Sequence, residues 1–140
     1  MRSFIIVCLC LFTFTAACSA QKQLRAEDLV GDWQGESKCQ GSNPYCKDEV
    51  ALYHFSEIED QPTKAHLVAD KLVNGKWEFM GQFDLDIDAV SSTLRTEFPI
   101  PRTGGKGVLT FNVEGDKIDG IMMIYPENEV GRKIHVERKK

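Results

Sequence analysis

The sequence predicts an all-β fold, an eight-stranded antiparallel up-and-down β-barrel. Three observations predict it. Apolar and polar residues alternate with period two through most of the chain beyond residue 30, which puts successive side chains on opposite faces of a strand. Turn-forming residues break that alternation at intervals of roughly 10–15 residues, the spacing of short sequential strands. The connections are mostly short, so sequential strands are antiparallel neighbours. A meander with no long helix to cover it leaves two open sheet edges, and closure into a barrel removes them.

The N-terminal 20 residues, MRSFIIVCLCLFTFTAACSA, carry one charge, on Arg2. Their apolar run, 4–17, is shorter than the about 20 residues a spanning helix needs. It is apolar all round, unlike a core helix, and it precedes small residues. It therefore predicts a signal peptide over 1–20 and an exported protein. Two processing sites fit. Cys18-Ser19-Ala20 before Gln21 places small residues where a conventional signal peptidase cuts. Thr15-Ala16-Ala17-Cys18 is similar to a bacterial lipobox, which implies lipidation of Cys18 and a tether to a membrane surface. With Ser19 after the cysteine, that resemblance implies the outer membrane, facing the periplasm. Without lipidation the protein is secreted.

Export explains the odd number of cysteines. Cys8 and Cys10 leave with the leader, and Cys18 is lipidated or removed. Cys39 and Cys46 remain in an oxidising compartment and are expected to form a disulfide. Their spacing is neither that of a zinc site nor that of a redox Cys-x-x-Cys. Gly41, Ser42, Asn43 and Pro44 make the enclosed segment a turn-rich loop.

Residues 21–28 are polar and predict a tether, with at most one helical turn near 26–30, and 29–140 predict the barrel domain. The strands are expected at 31–38, 49–58, 65–73, 76–87, 92–98, 107–113, 117–125 and 132–138. Asn74-Gly75 between the third and fourth is the strongest hairpin signal in the chain. Pro99 and Pro101 are expected to end the fifth, since proline donates nothing to a ladder. Glu114-Gly115-Asp116 turns the chain into the seventh. In the fourth strand the alternation predicts Trp77, Phe79, Phe83, Leu85 and Ile87 on one face. In the last, Ile134, Val136 and Arg138 share a face. An eight-stranded barrel has room for its own side chains or one small ligand.

Gly31-Asp32-Trp33 opens the first strand, and Arg138 lies near the end of the last. This pairing resembles the lipocalin pattern, and the chain is similar to small bacterial lipocalin-like (calycin-type) lipoproteins. The resemblance implies that Trp33 closes one end of the barrel and that Arg138 packs across its ring, a cation–π contact formed only on closure. It covers the architecture of the mature chain, with sequence motifs in a few residues. The chain is shorter than most lipocalins and has no helix after the last strand.

Composition narrows the function. The chain has 140 residues, 27% of them charged, and a net charge of −4. No basic stripe exists to bind nucleic acid. Asp84, Asp86 and Asp88 alternate and belong to a solvent face; a calcium loop starting at Asp84 would need glycine and glutamate where Ala89 and Arg95 stand. His54, His66 and His135 have no metal-ligand spacing. His54 shares a face with Val50 and Leu52 and is expected inside, the other two outside. Leu29, Gly31, Trp33 and Gly35 faintly resemble the opening of the nitrobindin haem barrels, but the rest of that pattern is missing. No Gly-x-Ser-x-Gly elbow or phosphate loop is present. The expectation is a non-enzymatic module without metal or cofactor, binding a small apolar or amphipathic ligand. Tyr53, Trp77, Phe79, Phe83, Phe111 and Met122 are the candidate interior lining. The alternative is a filled barrel that contacts an envelope protein, as an inhibitor or accessory protein, through the 39–46 loop and the loop around Pro99-Ile100-Pro101-Arg102. Periplasmic lysozyme inhibitors are also small disulfide-bearing barrels, though their Ser-Gly-x-x-Tyr loop is absent here.

Overall fold

Alternating segments form strands because each can bury one face and hydrate the other. In the computed structural model, which describes residues 22–140, eight segments do so. A single helical turn, α1 (Ala26–Leu29), precedes β1 (Gly31–Cys39), β2 (Glu49–Glu57), β3 (Lys64–Val73), β4 (Lys76–Asp88), β5 (Thr93–Ile100), β6 (Gly105–Glu114), β7 (Lys117–Tyr125) and β8 (Glu129–Arg138). Each strand pairs antiparallel with the next, and β1 pairs with β8, closing the barrel. The expected signal peptide, its two candidate processing sites and Cys18 fall outside the described residues.

One end of the barrel is shut by the pair the sequence singled out. Trp33 stands opposite Arg138 in the β1–β8 ladder. The indole is fully buried, meets Phe55 edge-on at 6.3 Å and donates from Nε1 to the Leu29 carbonyl at 2.9 Å. The Arg138 guanidinium lies 4.2 Å from the indole centroid. It also donates to the carbonyls of Val30 and Asp28 at 3.0 and 2.5 Å, and to Asp116 at 2.9 Å. Gly31 makes the approach possible: its φ of +123° is open to glycine and strained for other residues. Leu29, Leu67, Leu85, Leu94, Phe111, Ile118 and Val136 fill the barrel beside this closure. Full burial of each such large side chain contributes on the order of 1.5–3 kcal/mol.

The expected boundaries hold at most strands, but β5 does not stop before Pro99. It continues to Ile100, with Pro99 opposite Lys106 of β6. The Val113 N–H donates to the Ser92 carbonyl at 2.9 Å, so the backbone of Ser92 points at β6. Alternation along β5 then turns the Pro99 backbone the other way, toward β4. The missing N–H thus falls where no ladder exists, the position a strand proline tolerates.

The face assignment of β4 needs a correction. Ala69 of β3 faces Gly81, but Asp70 faces Phe79, so Met80 has no partner. This extra residue is a β-bulge, and it reverses which face each later position presents. Phe83, Leu85 and Ile87 face the interior, packed in or against the core. Trp77 and Phe79, expected beside them, are turned outward and are 39% and 65% exposed. Trp77 lies across from Leu72, and Phe79 from Asp70, on the outer surface.

Candidate functional site

The interior is filled near Trp33 and open at the other end. There a cavity of about 310 Å³ lies among Leu67, Met80, Phe83, Phe98, Leu109 and Met122 on its apolar side. Ser37, Glu49, Tyr53 and Arg132 form its polar corner. The elements explain the division. Glu49 and Arg132 stand near the starts of β2 and β8, Ser37 near the end of β1, all at the end away from Trp33.

The polar corner is built around Arg132. Its guanidinium donates to the Ser37 hydroxyl at 3.1 Å, the Ser37 carbonyl at 3.3 Å and the Lys47 carbonyl at 3.1 Å. It pairs with Glu49 Oε2 at 3.2 Å. That oxygen is buried with no hydrogen bond among the described residues: the guanidinium is close enough to attract it but not aligned to donate, so the pairing is Coulombic rather than directional. Lys71 approaches Glu49 Oε1 at 3.9 Å. Lys71 stands across the ladder from Glu78 and does not line the cavity, so the charges lining the corner are one cation, Arg132, and one carboxylate, Glu49.

Tyr53 joins the polar corner to the core. Its ring is buried and meets Phe111 edge-on at 5.9 Å. Its hydroxyl has no hydrogen-bond partner among the described residues, although the residue lines the cavity. Burial, reinforced by the charge of Glu49 and opposed by Arg132, holds this hydroxyl well above the usual phenol range. It therefore stays protonated and offers a donor to the cavity.

Of the six interior candidates, the structure brings Tyr53, Phe83 and Met122 to the cavity. Phe111 is inward but fully buried in the packed core. Trp77 and Phe79 lie outside, carried there by the bulge. Sequence reading missed Glu49, Arg132 and Phe98. The signal was present for all three. Glu49 has the same parity as Tyr53 and Phe55, Arg132 as Ile134 and Val136, and Phe98 as Leu94.

The histidines lie outside the barrel wall. The expected inward placement of His54 is wrong, because Tyr53 and Phe55 take the inner face of β2. His54 bridges Asp32 at 2.6 Å and Asp70 at 3.2 Å. His66 pairs with Asp84 at 2.6 Å, and His135 with Asp119 at 2.7 Å, each directly across a ladder. Partial burial disfavours the charged His54 ring, but its two aspartates outweigh this and raise its pKa. Asp119, helped by Glu137, raises that of His135. Asp84, Asp86 and Asp88 are exposed, in keeping with a solvent face, and Asp88 binds the Val90 and Ser91 amides. Among the described residues no group of three potential ligands is placed to hold a metal.

The expected disulfide is formed. Cys39 and Cys46 are bonded, with Cα atoms 6.0 Å apart. The loop they enclose is also tied to β8, where the Ser42 hydroxyl donates to Glu129 at 3.2 Å.

No protein-family model matches the chain, and no curated protein matches its sequence. Among solved structures, the chain is similar to secretory abundant heat soluble protein 4 from Ramazzottius varieornatus. The TM-score is 0.51 at 14% identity, over 79% of this chain and 94% of that one. At that identity the likeness shows a shared small-barrel fold.

Proposed function

We propose that the chain is an exported, lipocalin-like binding module that holds one small amphipathic molecule in its barrel and catalyses no reaction. The observation that carries this reading is the cavity of about 310 Å³, apolar on one side and polar at one corner. Its volume lies at the lower end of the range for small-molecule sites, roughly 300–1,000 Å³. The apolar body of the ligand lies against Phe83, Phe98, Leu109 and Met122. Its head group accepts a hydrogen bond from the Tyr53 hydroxyl, beside the Arg132 guanidinium that lines the same corner.

The proposal includes a tether, which the lipobox-like Thr15-Ala16-Ala17-Cys18 segment supports. Leu24 packs against the core beside α1, at the Trp33 end. A lipid on Cys18 would be four residues from Lys22, a span of at most about 14 Å. The closed end would then face the membrane of the bacterial envelope and the cavity would face away from it.

Native mass spectrometry of the protein purified from its own host tests the proposal. The expected result is a bound small amphiphile, lost from a Tyr53→Phe, Arg132→Met variant that remains folded. A barrel that is empty as purified and takes up no amphiphile overturns it. That result would favour the second reading, a protein-interaction module. Its support is the outward apolar row of Val50, Leu72, Trp77 and Phe79.

A further inference from the structure

The barrel wall is not uniform. Every other neighbouring pair of strands forms a ladder of seven or more residue pairs. β4 and β5 share three: Asp86 with Arg95, Ile87 with Leu94 and Asp88 with Thr93. Beyond Asp86 the two strands run on unpaired, β4 back to Lys76 and β5 forward to Ile100. This open stretch flanks the cavity, because Met80, Phe83 and Phe98 line it.

Two sequence features bound the open stretch. Pro99 turns a backbone without an N–H toward β4. On the other strand the Met80 bulge follows where β5 has ended, since the β4–β5 register places Gly81 opposite Ile100. Side chains close the gap in place of hydrogen bonds. The Phe83 and Phe98 rings meet across it, with centroids 5.2 Å apart and planes tilted by 52°. The Phe98 ring covers Gly107 and leaves no room for a Cβ there. Neither ring is fully buried. A phenyl ring turns about its side-chain bonds on a timescale far shorter than a strand pair separates.

We propose that ligand reaches the cavity sideways, through the β4–β5 seam, with the Phe83 and Phe98 rings as its door. The proposal rests on the ligand-binding reading above. The molecule entering is an amphiphile thin enough to pass between two strands. Its apolar part leads past Met80 and the two rings, and its head group ends at Tyr53 and Arg132.

Stopped-flow fluorescence with anilinonaphthalene sulfonate, an anionic aromatic amphiphile, tests this on the intact chain. Phe98→Ala and Phe83→Ala, with the milder Phe98→Leu and Phe83→Leu in case the alanine variants do not fold, should speed both association and dissociation. About tenfold is expected in association, because removing a door lowers the entry barrier; dissociation should rise at least as much, since both rings also line the cavity. A Cys39→Ser, Cys46→Ser variant, which frees the loop at the barrel end, should leave both rates within about twofold. Unchanged association in the seam variants, whatever happens to dissociation, or faster association only in the loop variant, would overturn the side entrance and leave the binding reading intact. Failure of the folded natural chain to take up the probe at all would overturn the binding reading, and the side entrance with it.

Discussion

Replacing Arg138 by alanine should lower stability by about 2–4 kcal/mol, a large fraction of what a domain of this size has. The sum comes from separate contacts. The guanidinium stacks on Trp33 at 4.2 Å, and a partly desolvated cation–π contact contributes about 0.5–2 kcal/mol. It also satisfies the carbonyls of Asp28 and Val30, and each hydrogen bond contributes about 1 kcal/mol net. The pair with Asp116 adds little, because Asp116 is well exposed. Arg138→Lys should recover less than half of the loss, since an ammonium cannot stack as a plane and reach two carbonyls together. Urea unfolding with the disulfide intact measures both variants, and the slope with denaturant should be unchanged. A double-mutant cycle with Trp33→Phe should show coupling of about 1 kcal/mol or more between the two positions. A loss below about 1 kcal/mol for Arg138→Ala, or full rescue by lysine, would refute the view that this closure locks the first strand to the last.

Glu49→Leu should destabilise the fold by about 1–2 kcal/mol, measured by urea unfolding, because it leaves the half-buried Arg132 without its counter-charge; joint replacement of Glu49 and Arg132 by leucine and methionine should cost less than the single change. Phe79→Ser should shift stability by less than about 0.5 kcal/mol, as for an outer-surface site, whereas Phe111→Ala should cost about 3–5 kcal/mol; a large loss for Phe79→Ser would place that ring inside after all. His54 and His135 have pKa values raised by their aspartates, so their contribution to stability is complete below the unfolded value of about 6.5 and fades as pH rises through the folded value. Melting temperature should therefore fall between about pH 6 and pH 8, and His54→Gln with His135→Gln should flatten that slope.

What could be read in the sequence was whatever depends on local pattern. Period-two alternation and Asn74-Gly75 located the strands and their antiparallel order, and those in turn implied closure. Trp33 and Arg138 could be paired in advance because closure leaves the first and last strands no other neighbours. The interior of β4 could not be read that way. A bulge is one extra residue, and nothing in KWEFMGQF marks Met80 as the residue without a partner. The alternation on either side looks continuous, and it places Trp77 and Phe79 on the face of Phe83. Glu49 and Arg132 escaped for a different reason. A charged residue near a strand end normally belongs to the surface, and only its parity with Tyr53 or Ile134 shows that it points inward. Two such residues of opposite charge, each on an inward parity near one end of the barrel, would have been a usable signal.

The β4–β5 seam makes a prediction at the level of single amides. Successive backbone groups of a strand point to opposite neighbours. The Ile87 N–H donates to the Thr63 carbonyl at 2.8 Å, so the odd-numbered positions of β4 near it face β3 and the even-numbered ones face β5. Asp86 and Asp88 find partners there, while Asp84 and Gln82 face the unpaired stretch. By the same alternation from Ser92, Glu97 of β5 faces the seam and Thr96 and Phe98 face β6. The amides of Gln82, Asp84 and Glu97 should therefore exchange with solvent at least about a hundredfold faster than those of Phe83, Leu85, Thr96 and Phe98, because the former need no opening of a ladder and the latter do. Hydrogen exchange read residue by residue by NMR gives the comparison within one sample. A strand that frays as a whole would speed both sets alike, and a seam that zips shut in solution would slow both. Either result would contradict a gap closed only by two aromatic rings, whereas alternation of fast and slow amides along both strands requires one.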